Sequence, residues 1–385
     1  MFMQHTVLLR ALLLAAGAVA FPAHAQVVIG DKSPRLTIEG FANVTAGRQF
    51  QGDDSFAGKK DDARIDAGLR LLGQINVGNN NGIFGVRVEA NASPEDHLQA
   101  GERSILYSDK WGRIEIGRRQ GLPDTLAGYA PNNYTFTSAE FGVASGRRLD
   151  PGSTLTTAFL PPALAARIDA VSGGGFTSAL FNDISPKVIY VSPKTAGFQA
   201  GFSFSPDADD AGIRYKQLLQ GGLTHETYWE QNVFRVGGSV SHANTESGGS
   251  PGDPAGSLNS LSLGASATLD DALTLGANVT YNNSGLRQVP GPSSPSGAHG
   301  HSTSINYNTG PWTIGGYYQW ARAGTGFDNT GRDQLRTAQV GASYRLTTKI
   351  RFYGAYYAYQ LRNEGGPGGE AFSGGVFLIG TRVAL

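Results

Sequence analysis

Hydrophobic and polar residues alternate along most of the chain. Apolar Leu36, Ile38 and Val44 alternate with polar Glu39 and Asn43, and the same pattern recurs towards the C-terminus. Successive side chains of a β-strand point to opposite faces, so this period of two predicts strands with one apolar and one polar face. The chain is therefore predicted to be built from such strands.

The alternation predicts about 16 strands, an even number. They span residues 35–46, 64–77, 82–92, 102–109, 112–119, 185–193, 197–206, 222–230, 232–243, 257–269, 272–283, 300–309, 311–322, 334–346, 349–362 and 371–385. Short turns such as 109–112 alternate with longer connections rich in Gly, Pro, Ser and Asn. This rhythm is typical of an antiparallel meander.

Two architectures give every strand one apolar face: a soluble sandwich and a membrane barrel. No apolar run beyond residue 25 is long enough for a helical membrane span. The polar face recurs in strand after strand, and a barrel of about 16 strands places that face around a water-filled lumen. Lipid requires a closed sheet because unpaired backbone groups are costly there. We therefore predict an all-β fold, a transmembrane antiparallel β-barrel.

Aromatic residues favour the barrel over the soluble sheet. Trp312, Tyr317, Tyr318 and Trp320 occur on one predicted strand, and several more occur in 349–362. We expect them in girdles at the membrane interfaces. In a soluble sheet these aromatic side chains would instead fill the core, and the alternation pattern alone leaves that alternative open.

The N-terminus has the features of a secretory signal peptide. Arg10 precedes an apolar run over 11–21, which is followed by Ala23-His24-Ala25. We predict a cleaved signal peptide over 1–25 and a single barrel domain over 26–385.

Composition narrows the function. The chain has 31 Lys+Arg, 31 Asp+Glu and no Cys. Balanced charge excludes a nucleic-acid partner, and the lack of cysteine excludes disulfides and thiolate chemistry.

Three segments resemble Gram-negative general porins. The run 103–119, RSILYSDKWGRIEIGRR, resembles the porin hairpin that leads into the constriction loop. The run 183–202, with its Tyr-x-Ser-Pro and Gly-Phe elements, resembles the next hairpin, and 80–86 is similar to an earlier turn and strand.

The resemblance implies a homotrimer of 16-stranded barrels in the outer membrane, surrounded by lipid, with a constriction loop folded inward. Residues 120–184 would form that loop region. The segment is longer than the usual inward loop, and its Ala-rich part, 160–167, could be a short helix lying partly outside the lumen. The chain also ends in Leu385, where family members usually carry an aromatic assembly signal.

Strand phase and the resemblance together indicate a basic pore wall. Arg70 and Arg87 share a face with polar neighbours and should point into the lumen. Arg118 resembles the family's wall arginine, although alternation favours Arg119 as the inward residue. Arg64 lies at a strand start, where the two faces are not separable.

The acidic partners of this wall are expected in the loop: Asp124, Glu140 and Asp150. Glu140-Phe-Gly142 resembles the acidic element at the tip of the porin loop. Opposite fixed charges across a narrow aqueous gap orient water and polar solutes and hinder apolar ones.

The expected function is a channel for passive diffusion of small hydrophilic solutes and ions. A sugar- or anion-selective channel is the alternative, and an outer-membrane enzyme or adhesin is more remote. His-Glu-x-x-His and Walker sequences are absent, so we expect no enzyme, no cofactor and no metal. The close pair His299 and His301 falls in what reads as an extracellular loop.

Overall fold

The structure is a computed structural model. It describes residues 26–29, 34–51, 61–77, 82–92, 99–119, 185–210, 213–245, 257–282, 297–323, 333–362 and 371–384, with the single positions 121, 122, 126, 160, 164, 168 and 171. Among these residues no helix is both long enough and apolar enough to cross a bilayer.

The described chain is organised as 17 β-strands in one sheet. The strands are β1 Gln26–Ile29, β2 Arg35–Gln51, β3 Asp61–Val77, β4 Gly82–Ala92, β5 Gln99–Asp109, β6 Gly112–Arg119, β7 Ser185–Val191, β8 Phe198–Asp210, β9 Ile213–Trp229, β10 Asn232–Thr245, β11 Ser257–Leu269, β12 Leu273–Asn282, β13 Ala298–Thr309, β14 Trp312–Ala323, β15 Asp333–Arg345, β16 Ile350–Arg362 and β17 Ala371–Ala384.

The sheet closes on itself. Each strand from β2 to β16 pairs antiparallel with the next, and β17 pairs with β2 from Gly374↔Gln51 to Ala384↔Phe41. Sixteen of the 17 strands therefore form a ring, and the predicted barrel is confirmed. The short β1 was not predicted. It pairs with residues 36–39 of β2, directly beyond the end of β17, and so satisfies an edge that would otherwise be open.

The predicted strand bounds agree with the structure at 82–92, 112–119 and 257–269. The largest difference lies between residues 206 and 222. There β8 and β9 extend the hairpin well beyond the predicted ends, because the backbone pairing continues through polar residues such as Asp207 and Lys216. Polar composition at a strand end gave no signal of that continuation.

Side chains sort between the two faces as the alternation predicts. In β12, Leu275 and Val279 are 40% and 53% exposed on the outside of the ring. Their neighbours Asn278 and Thr280 are each 4% exposed and face inward. The outward face is apolar along the ring, which suits contact with lipid acyl chains.

Aromatic residues mark the turn end of the barrel wall. Trp312 lies 4.9 Å from Tyr344, and Tyr107 lies 5.9 Å from Trp111, measured between ring centroids. All four follow or precede short turns. They form the kind of interfacial girdle expected of a membrane barrel.

Not all of the predicted girdle residues lie there. Tyr318 is exposed on the outside, whereas Tyr317 packs against a buried cluster inside the ring. Tyr353, Tyr357 and Tyr359 are also buried on the inner side. The girdle prediction was wrong for Tyr317, Tyr353, Tyr357 and Tyr359, because it grouped neighbouring aromatic residues without applying the strand alternation.

Two glycines shape the hairpin of β5 and β6. Gly112 has φ +127°, and a Cβ there would lie 2.5 Å from the carbonyl oxygen of Val191. Gly117 has φ +149°, and a Cβ there would lie 2.2 Å from the carbonyl oxygen of Arg103. Only glycine tolerates both the backbone angle and the close approach.

Replacing Gly117 by Ala should therefore lower the free energy of unfolding by roughly 2–4 kcal/mol. Urea unfolding of the refolded protein, followed by gel mobility, measures the loss. Gly73→Ala is the matched control, because a Cβ at Gly73 meets nothing within 4 Å. Equal stability of the two variants would contradict the steric account of this hairpin.

Candidate functional site

Charged side chains gather on the inner wall formed by β4, β5 and β6. Glu102 is 1% exposed and forms ion pairs with Arg119 and Arg87. The Nη1 of Arg87 lies 3.4 Å from Oε2 of Glu102. Glu115 is also 1% exposed, and its Oε2 lies 2.5 Å from the Nε of Arg119. Arg113 contacts the other oxygen of Glu115 at 3.1 Å. The wall thus contains a connected network of alternating charge.

Backbone register brings these residues together. Arg103 pairs with Arg118 across β5 and β6, so Glu102 and Arg119 are placed opposite each other one residue further along. An irregularity between Val88 and Ala90 in β4 shifts the register next to Glu102. Such a bulge re-aims neighbouring side chains and is common at functional sites.

Charged residues are also register neighbours on the earlier strands. The Cα of Arg70 in β3 lies opposite Glu39 of β2 on one side and Glu89 of β4 on the other. Glu89 is buried on the inner wall, as is Lys187 of β7. Acidic and basic side chains therefore interleave along the inner wall from β4 to β7.

The predicted basic wall is only partly the one observed. Arg87 and Arg119 both lie on the inner wall and meet at Glu102. Arg118 is exposed on the same face as Ile116, which is the outside of the ring. The resemblance placed it wrongly because β6 keeps strict alternation up to its end, and Arg118 is not part of the lumen wall.

The other predicted residues lie where their side chains are not described. Arg64 and Arg70 are in β3, with Arg64 opposite Thr45 of β2. Asp124, Glu140 and Asp150 lie outside the described residues. Their role in a constriction stays a prediction.

Sequence reasoning missed the wall carboxylates Glu102 and Glu115. It also missed Lys187, a basic residue on the same wall. The signal was present: Glu102 has the phase of Ser104 and Leu106, and all three are buried. Acidic partners were sought only in the loop, so the wall's own carboxylates went unassigned.

In a second sector of the inner wall the buried polar side chains carry no charge. The buried polar side chains of β8 to β13 are all hydroxyls or amides, namely Ser203, Ser205, Gln220, Ser239, Ser241, Ser262, Ser266, Thr274, Asn278, Thr280, Asn282, Ser302, Ser304 and Asn306. Several bond to one another; the hydroxyl of Ser302 donates to Asn278 Oδ1 at 2.6 Å. These buried hydroxyls and amides can exchange hydrogen bonds with water or solute without carrying charge themselves.

The third sector is apolar and covered. Leu335, Tyr357, Tyr359, Leu361, Phe372, Val376 and Leu378 of β15 to β17 form a buried cluster with Leu160, Leu164, Ile168 and Val171 from the long connection between β6 and β7. Leu164, Ile168 and Val171 are helical positions. Their spacing places them on one helical face, which packs against the inner wall.

The start of the same connection is attached elsewhere. Leu122 and Leu126 are buried against Ile189 and Val191 of β7. The Leu126 amide donates to the Leu122 carbonyl at 2.9 Å, which closes one helical turn. The Leu122 amide in turn donates to Gln220 Oε1 of β9 at 3.0 Å.

Two glycines make room for these leucines. Gly201 and Gly222 are cross-strand partners on β8 and β9. A Cβ at Gly201 would lie 2.6 Å from Leu122 Cδ1, and one at Gly222 would lie 2.8 Å from Leu126 Cδ1. The missing side chains create the slot in which the connection starts.

The two attachments lie on opposite sides of the ring. The start of the connection is attached near β8, and its later helical positions are attached near β16. These two strands are half the ring apart. The described buried positions of the connection between β6 and β7 therefore contact the inner wall on both sides of the ring. Whether the rest of 120–184 lies within the lumen stays a prediction.

No candidate metal-binding site is found among the described residues. They contain no group of three or more His, Cys, Asp or Glu residues that could hold a metal ion. His299 and His301 lie in β13 and not in a loop, because the strand begins at Ala298 despite its Gly- and Ser-rich approach.

A closed, apolar-faced barrel around a polar lumen defines a membrane channel. A sequence model of the Gram-negative porin family matches residues 11–364, and the chain belongs to that family. It is an outer-membrane protein. A search of curated protein sequences finds no match.

Solved structures share the fold at low identity. OmpF of Salmonella typhi, in complex with daunomycin, is 11% identical with a TM-score of 0.64, covering 93% of this chain and 100% of the other. A loop-deletion mutant of OmpT of Vibrio cholerae is 13% identical with a TM-score of 0.57, covering 91% and 99%. An anion-selective porin from Comamonas acidovorans is 15% identical with a TM-score of 0.56, covering 91% and 100%.

Filling the glycine slot should detach the start of the loop. In Gly222→Val the new methyl groups overlap Leu126, so we expect a changed single-channel conductance and faster proteolysis of the connection. Gly221→Val is the control, since a Cβ there has only Val240 at 3.7 Å. Identical conductance of the two variants, measured in planar bilayers, would contradict the proposed attachment.

Proposed function

We propose that this porin is a water-filled channel for the passive diffusion of small hydrophilic solutes and ions. The observation that carries the proposal is the ion-pair network of Arg87, Glu102, Glu115 and Arg119 on the inner wall, close to the start of the connection between β6 and β7. Buried charges of both signs at this place create a local transverse field.

Such a field favours polar solutes. Dipolar molecules align with it, whereas an apolar solute would have to displace water that the charges hold. The buried hydroxyl and amide side chains of β8 to β13 offer hydrogen bonds without a preference for the sign of the solute's charge. Diffusion through this lumen requires no reaction, and we propose no enzymatic activity.

The network should set ion preference. Replacing Arg119 by Gln leaves Glu102 and Glu115 with less positive charge beside them, so the wall becomes more negative. We expect a reversal potential shifted towards cations and a conductance changed by tens of per cent in a salt gradient across a planar bilayer.

Arg118→Gln is the matched control, because it removes the same charge one residue away on the outside of the ring. The control should conduct like the unsubstituted protein. Equal shifts of the reversal potential in both variants would contradict the assignment of ion preference to the inner position.

A preference for anions is the second candidate. Arg345, Arg351 and Arg382 occupy consecutive register positions on β15, β16 and β17, on the inner side at the short-turn end. A row of arginines at one mouth raises the local anion concentration there. The Comamonas porin with the same fold is described as anion-selective.

Substituting all three of these arginines by Gln should lower the anion-to-cation permeability ratio. The effect should also depend on the sign of the voltage, since the charges lie at one mouth only. Reversal potentials in salt gradients of both directions measure it. An unchanged ratio would leave the general channel as the better description.

We also propose that the protein assembles as a homotrimer, as the family resemblance implies. The mass of the folded complex in detergent tests this assembly. A folded monomer that conducts on its own would contradict it.

A further inference from the structure

A row of alternating polar and aromatic side chains crosses the inner wall on four adjacent strands. Backbone register places Ser304 of β13, Tyr317 of β14, Gln339 of β15 and Tyr357 of β16 beside one another in that order. We call these four residues the amide–tyrosine row. The row lies where the hydroxyl and amide side chains of β8 to β13 meet the apolar cluster of β15 to β17.

The polar groups of the row are buried without a protein partner. Gln339 is 4% exposed, and neither its Oε1 nor its Nε2 forms a hydrogen bond within the described part of the chain. The same holds for the Oγ of Ser304, a residue that is 8% exposed. Leaving such a buried group unpaired is costly, so each one calls for a ligand or water as its partner.

Small residues form a recess beside the row. Gly315, Gly341 and Ala355 occupy the next register row on the same face, towards the short turns. None of them has a side chain longer than a methyl group, so the neighbouring rings overhang this part of the wall. A Cβ at Gly315 would lie 2.1 Å from the Oδ1 of Asn306, which shows that a second amide reaches over the recess.

Fixed charge is distant from the row. On the inner face of β15 the nearest charged residues are Asp333 and Arg345, each six residues from Gln339. Six residues of strand extend about 20 Å. Arg322 is the only Asp, Glu, Lys or Arg of β13 and β14, and it has the outward phase of Tyr318. A ligand of this row therefore needs hydroxyl groups rather than charge.

We propose that the amide–tyrosine row and its recess bind a neutral sugar inside the lumen, an inference that rests on the proposed channel function. The C–H faces of a sugar pack on aromatic rings, and its hydroxyls both donate and accept, as the amide of Gln339 requires. An apolar solute would leave that amide unpaired. Tyr317 is the partly exposed member of the row and is where a solute in the lumen meets it.

Block of the ion current by sugar tests this subsite. Single-channel currents of the folded protein in potassium chloride are recorded in planar bilayers with rising concentrations of maltose, or of a polyethylene glycol of equal mass. We expect a saturable fall of current with maltose and a fall proportional to concentration with the polymer. A protein without conductance in salt alone would contradict the proposed function, whereas a conducting channel without saturable block would contradict only the subsite.

Variants locate the block. In Q339L both amide groups are lost, so the maltose concentration for half-maximal block should rise about tenfold. S304A removes a single hydroxyl with little change of volume, and there we expect a rise of about threefold. This smaller change keeps the test valid if Q339L fails to fold.

Q319L is the matched control. It makes the same substitution on the inner wall one register row away, where Gln319 Oε1 already accepts a hydrogen bond from Thr337 Oγ1 at 3.3 Å. Its half-blocking concentration should equal that of the unsubstituted protein. The proposal is overturned by an equal rise in Q319L and Q339L, or by a half-blocking concentration that neither Q339L nor S304A changes. Either result would mean that these polar atoms hold only water.

Discussion

Backbone hydrogen bonding in a medium without water is the constraint on which this structure depends. Every amide and carbonyl within hydrocarbon needs a partner, and a sheet meets that need only when its last strand pairs with its first. The pairing of β17 with β2 does so, and β1 extends it where β17 ends. Once the ring is closed, the period of two divides side chains between lipid and an enclosed aqueous space.

The enclosed space is not uniform. Charges line the wall from β4 to β7, hydroxyls and amides line β8 to β13, and an apolar cluster lies on β15 to β17. The connection between β6 and β7 uses this asymmetry: it starts in a glycine slot on one side and packs an apolar helical face on the other. The described positions of this connection are thus attached at two opposite walls.

Alternation predicted the barrel and the phase of Arg87 and Arg119, because local sequence decides which face a strand residue occupies. Resemblance without alternation misplaced Arg118. The pairing of Glu102 with both arginines depends on register across three strands, and register is set by turns and by the bulge near Val88, which local patterns do not reveal. The inward tyrosines of β16 were misplaced because the girdle prediction did not apply the alternation to them, whereas their cover by Leu164 and Ile168 depends on a distant part of the chain.

Accessibility along a single strand tests the central claim most directly, and a chain with 0 Cys allows it without background. Single cysteines at Leu275, Asn278, Val279 and Thr280 of β12 would be exposed in lipid vesicles to a charged, membrane-impermeant thiol reagent. The closed barrel around water predicts reaction at Asn278 and Thr280, with a drop in channel current, and protection at Leu275 and Val279. Equal reaction at all four positions, or protection of the polar pair, would contradict it.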